Sequence, residues 1–62
     1  MWEIMCSKVG DNGDFITLDI GVGPSGRPVY RVTWYKNGRL AHARYDNFKA
    51  ARATWGMLNL MV

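Results

Sequence analysis

Sixty-two residues with a net charge of +3, 48% hydrophobic content and three tryptophans predict one small folded domain, residues 1–62, and exclude a disordered chain. The single cysteine, Cys6, excludes an internal disulfide, and with His42 as the one histidine there is no Cys/His set for structural zinc. With no apolar run of about 18 residues and no charged start leading into an apolar stretch, the expected setting is the reducing cytoplasm, with no membrane span.

Met1 to Val9 alternates loosely and predicts an edge strand with Trp2, Ile4 and Cys6 on its core side. Gly10-Asp11-Asn12-Gly13 is a turn cluster. Asp14 to Val22 alternates cleanly: Ile16, Leu18, Ile20 and Val22 form an apolar face opposite Phe15, Thr17 and Asp19. That pattern is a half-buried antiparallel strand. The stretch Gly21 to Arg27 is glycine-rich. It lacks a Gly-Lys-Ser/Thr ending and a following helix, so it reads as a hairpin connection and not a phosphate cradle.

Pro28 to Tyr45 holds two strand-forming runs around Asn37-Gly38. Asn-Gly favours a two-residue type I′ turn, because both central residues need positive φ. Taking it as the turn sets Lys36 against Arg39, Tyr35 against Leu40, Trp34 against Ala41, Thr33 against His42, Val32 against Ala43, Arg31 against Arg44 and Tyr30 against Tyr45. Side chains alternate between faces. Tyr30, Val32, Trp34, Ala41, Ala43 and Tyr45 therefore form a core face, with the alanines small where a helix would approach. Arg31, Thr33, Tyr35, Leu40, His42 and Arg44 form the other face.

The last segment is helical. Asp46 or Asn47 can cap it. Phe48, Ala51, Trp55, Leu58 and Val62 make one apolar stripe. Gly56 weakens the final turn. The predicted fold is α+β: a four-stranded antiparallel meander sheet with one C-terminal helix packed on one face, leaving the other face open.

The charge is uneven. Residues 1–20 carry Lys8 against Glu3, Asp11, Asp14 and Asp19, whereas residues 21–62 carry seven basic residues against Asp46. A basic surface suits an anionic partner. Arg31 and Arg44 oppose each other in the predicted register, and like charges across a strand pair destabilise. An anion held between them accounts for that placement, and Asp19 on the neighbouring strand is the alternative partner. Tyr35 and His42 add ring surface, and Lys36 and Arg39 extend the basic strip to the hairpin tip. Basic residues interleaved with aromatics suit phosphate contact with base stacking. No catalytic set is expected, because Cys6 and His42 fall on opposite faces and a nucleophile pair needs contact. No metal or cofactor is expected either.

Residues 28–62 resemble the three-stranded-sheet-plus-helix DNA-binding domain of ethylene-response factors and of phage or transposon integrases. The matching residues are Val29 to Tyr35, Gly38-Arg39, Leu40 to Tyr45, and Asp46-Asn47-Phe48 leading into Ala50-Ala51-Arg52-Ala53. The resemblance implies that exposed sheet residues, here Arg31, Thr33, Tyr35, His42 and Arg44, contact DNA. The helix start departs from it, with Lys49 and Ala50 where the families carry acidic residues. The size also resembles that of small phage-encoded inhibitors that bind and block a host or defence protein, of the anti-CRISPR type. Met57, Leu60 and Met61 lie off the helix stripe and would form the protein interface or a homodimer seam. The expectation is thus a non-catalytic binding protein with nucleic acid as the leading partner and a host protein as the alternative.

Overall fold

A computed structural model of the chain describes residues 1–58. The order of elements is β1 (Glu3–Val9), a single 3-10 turn (Asp11–Gly13), β2 (Phe15–Val22), β3 (Pro28–Lys36), β4 (Arg39–Tyr45) and α1 (Phe48–Met57). The strands form one antiparallel sheet in the order β1-β2-β3-β4, and α1 packs on one face. This is the expected α+β meander.

The β3–β4 turn has Asn37 at φ 54° and Gly38 at φ 78°. Both values are those of a type I′ turn, whose twist matches the flanking strands. Every pair from Tyr30–Tyr45 to Lys36–Arg39 forms in the predicted register. The Asn37 N–H also donates to Asp14 Oδ1 at 3.4 Å, tying this turn to the start of β2.

The core is small. Ile16, Leu18, Val32 and Ala51 are buried, with Cys6, Tyr30, Trp34, Tyr45, Trp55 and Leu58 packed around them. Burying Ile16, Leu18 and Val32 contributes about 1.5–3 kcal/mol each. Trp34 is only half-buried.

Asn47, rather than Asp46, caps α1, accepting from the Ala50 N–H at 3.1 Å. The helix then crosses the sheet diagonally. Its start sets Phe48 edge-on against Tyr30, with ring centroids 5.5 Å apart. Its end reaches β2 and β1, where Trp55 Nε1 donates to the Ile16 carbonyl at 3.3 Å. There Lys8 Nζ donates to the carbonyls of Trp55 and Leu58 at 2.9 and 3.0 Å. A cation at the carbonyl end of a helix satisfies orphan acceptors and complements the dipole. Tyr45 and Thr54 share a hydroxyl hydrogen bond of 2.8 Å between β4 and α1.

Two expectations are corrected. The helix ends at Met57 and does not run on through Leu58, whose backbone is extended. In β1 the register shifts between Ile4 and Cys6. That bulge keeps Cys6 on the helix side but turns Ile4 to the open side, so the two do not share a face. The bulge on β1, like the charged Arg39 and Arg44 on β4, also blunts a free sheet edge.

Candidate nucleic-acid interface

The face of the sheet opposite the helix is built in rows across the strands. The first row is Val9, Phe15, Tyr35 and Leu40; the second is Ser7, Thr17, Thr33 and His42; the third is Ile4, Asp19, Arg31 and Arg44. A fourth position is taken by Trp2, whose ring lies over Gly21. A side chain at Gly21 would need the space the indole occupies, since a Cβ there would sit 2.9 Å from the ring.

In the first row the Phe15 and Tyr35 rings stack, with centroids 5.7 Å apart and planes inclined by 17°. Both rings are half-exposed and flanked by the exposed Val9 and Leu40. The row is an apolar, aromatic platform across all four strands. The second row places the exposed His42 ring beside hydroxyl groups.

The third row brings Arg31 and Arg44 together as expected. Their repulsion is answered within the molecule. Arg31 Nε donates to Asp19 Oδ2 at 3.0 Å, and the Thr33 hydroxyl donates to the same oxygen at 3.0 Å. Asp19 is 2% exposed, and its Oδ1 has no hydrogen-bond partner among the described residues. The Trp2 ring receives both guanidiniums, with Arg31 Cζ 4.3 Å and Arg44 Cζ 5.8 Å from its centroid. The negative face of an indole attracts cations, so one ring bridges two like charges. The Arg31 side chain is 26% exposed, whereas Arg44 is exposed.

Lys36, Arg39 and Met57 are not on this face. Lys36 and Arg39 pair with each other at the hairpin tip on the side of Trp34 and Ala41, the helix side, because they sit one residue out of phase with Tyr35 and Leu40. They do not extend the Arg31–Arg44 strip. Met57 is 83% exposed at the end of α1. Leu60 and Met61 lie outside the described residues.

Asp19 takes the place of the alternative partner for Arg31 that the sequence offers, and Trp2 and Phe15 join the face beyond the candidate residues. Carrying the hairpin register one strand further places Phe15 beside Tyr35. The sequence alternation places Trp2 on the core side, because nothing in Ile4-Met5-Cys6 signals a bulge. Cys6 and His42 occupy opposite faces of the sheet. Among the described residues no three His, Cys, Asp or Glu side chains converge on a point that could hold a metal ion. No helix among them is long and apolar enough to cross a membrane. No protein family, curated protein or solved structure matches the chain.

Proposed function

We propose that this chain is a non-catalytic binding protein that takes single-stranded nucleic acid on the open face of its sheet. The observation that supports this most is the Phe15–Tyr35 stack, flanked by Val9 and Leu40 and followed along the strands by His42 and then Arg44. Aromatic side chains on a sheet surface stack unpaired bases, with about 1–3 kcal/mol per base, and cations alongside hold phosphates. Within the rows, the carboxylate of Asp19 is buried and engaged by Arg31 and Thr33, and the exposed Asp46 lies beyond them, at the Trp2 and Arg44 end of the face. In this reading Phe15 and Tyr35 stack, Arg44 and His42 meet the backbone, and Arg31 orders the face through Asp19 and Trp2.

Fluorescence anisotropy at low salt on single-stranded DNA, single-stranded RNA and duplex decides it. The expected result is single-strand binding that weakens with salt, at a log–log slope of about −0.7 per phosphate neutralised. Failure to bind any of the three at low salt would reject the reading.

A second reading has its own observation. Ile4, Val9 and Leu40 are exposed apolar residues on the same face. They suit a protein partner with an acidic rim, as for a small inhibitor that blocks a host protein. A single stoichiometric protein retained from lysate after nuclease treatment supports that reading over the first.

A further inference from the structure

Beyond the arginine row the open face ends in a cavity of about 410 Å³. Gly21 and Val29 pair one row past Asp19 and Arg31, and with Gly23 they line its floor. Trp2 forms one wall, and the exposed Arg44 and Asp46 stand at the rim. The two glycines keep the floor low. A Cβ on Gly21 would sit 2.9 Å from the indole, and one on Gly23 would sit 3.1 Å from Val29 Cγ1. An apolar hollow of about 300–1,000 Å³ with a few polar groups at its edge is the usual form of a small-ligand site. Asp46 is the one acid among the lining residues. Asn47 caps α1, so the helix does not use the Asp46 carboxylate. The described chain stops at Leu58, whose carbonyl accepts from Lys8 on the helix side, at the other end of the sheet.

We infer that this cavity takes one base of the bound strand and selects guanine, with Asp46 accepting from the base's N1–H and N2 amino group. The inference rests on the proposed binding of single-stranded nucleic acid. A carboxylate at the end of a phosphate-binding face repels the backbone, so its place there calls for a hydrogen-bond donor and not a phosphate. A carboxylate only accepts hydrogen bonds. Guanine is the base whose Watson–Crick edge sets two donors side by side, matching both oxygens of Asp46. Adenine and cytosine offer an amino group next to an acceptor, and thymine and uracil offer one N–H between two carbonyls. Each of these sets a lone pair against the carboxylate. Unpaired bases are read in this way, by their edges and by stacking on aromatic side chains, here the indole wall of Trp2. Arg44, beside Asp46 at the rim, holds the phosphate of the same nucleotide. Gly21 lies six residues beyond Phe15 on β2, which puts the cavity about 20 Å from the aromatic platform, within the span of a short single strand.

The test uses oligothymidine and oligouridine strands of about 12 nucleotides, within the range one small domain covers. Each carries a single guanine, adenine, cytosine or hypoxanthine, or no substitution, and binding is read by anisotropy. The guanine strand should bind about tenfold more tightly than the unsubstituted one, the scale of a good two-bond base contact. Hypoxanthine keeps N1–H but lacks the N2 amino group, and should lose most of that gain. Asp46→Asn, at an exposed position outside the helix cap, should bring the ratio of the two affinities to about one at an unchanged melting temperature. In NMR titrations the Trp2 indole N–H and the Gly23 amide should shift further with the guanine strand than with the unsubstituted one. Equal binding of all the strands, or a guanine preference that persists in Asp46→Asn, would overturn the guanine site and leave the open-face reading standing. If neither the DNA set nor the RNA set binds the parent protein at low salt, both fall.

Discussion

Arg31 and Arg44 face each other on the same side of one strand pair, yet they should respond differently to substitution. Arg31 is joined to a buried carboxylate, whereas Arg44 makes a looser approach to the Trp2 ring. Removing Arg31 leaves Asp19 buried with the Thr33 hydroxyl as its one side-chain donor among the described residues. Breaking a fully buried ion pair costs about 3–5 kcal/mol. Because Arg31 is itself partly hydrated, about 2–3 kcal/mol is expected for Arg31→Ala, or roughly 10–20 °C in Tm for a domain of this size. Arg44→Ala should stay within about 0.5 kcal/mol. Thermal melts of the two variants check this, and equal melting temperatures would mean that the Asp19 pair is not holding the sheet. The pairing of the two arginines was legible in the sequence, because it follows from a single Asn-Gly. What lies between them was not, because Trp2 reaches the pair only through the β1 register shift.

At the level of elements, two devices set the geometry and both can be tested. Gly38 sits at φ 78° in the turn that fixes the β3–β4 register. An L-residue there costs about 1–2 kcal/mol, and more when β-branched. Gly38→Val should therefore destabilise by at least that much, with the loss visible in chemical denaturation, while Gly38→Asn should be milder because Asn tolerates positive φ. If the valine and asparagine variants unfold at the same denaturant concentration, the turn is not controlling the register. Lys8 is the second device. It joins β1 to the carbonyl end of α1 through two hydrogen bonds and lies 4.4 Å from the Trp55 ring centroid. Lys8→Met keeps the aliphatic stem and removes the charge, and should cost about 1–2 kcal/mol. Amide exchange near Trp55 should rise in the same variant, and unchanged protection there would remove the capping role. The helix was legible from its stripe and its cap. Its end was not, because the pattern of apolar residues continues past Met57 while the backbone of Leu58 is already extended.

Across the whole molecule, the two faces of the sheet divide the work. The helix side holds the buried aliphatic core, and the open side holds the aromatic platform, His42 and Arg44. A domain of this length has little stability to spare. Leu18 is fully buried, and Leu18→Ala should remove about 2–5 kcal/mol, leaving little or no cooperative melt. Tyr35 and Arg44 stand on the other face, and neither touches that core. Tyr35→Ala loses the partner of Phe15, an aromatic pair worth about 0.5–1.5 kcal/mol, so the fold should survive it. In binding, the same substitution should cost about 1–3 kcal/mol if a base stacks on the ring. Arg44→Ala should weaken binding and flatten the salt slope by about 0.7, the share of one single-strand phosphate. Tyr35 and Arg44 lie two rows apart and share no partner, so the double variant should lose the sum of the two effects. Melting curves and anisotropy on the same samples separate the two faces. Binding losses that track only melting temperature would mean that the open face contributes stability and not recognition, and the proposed function would fall with it.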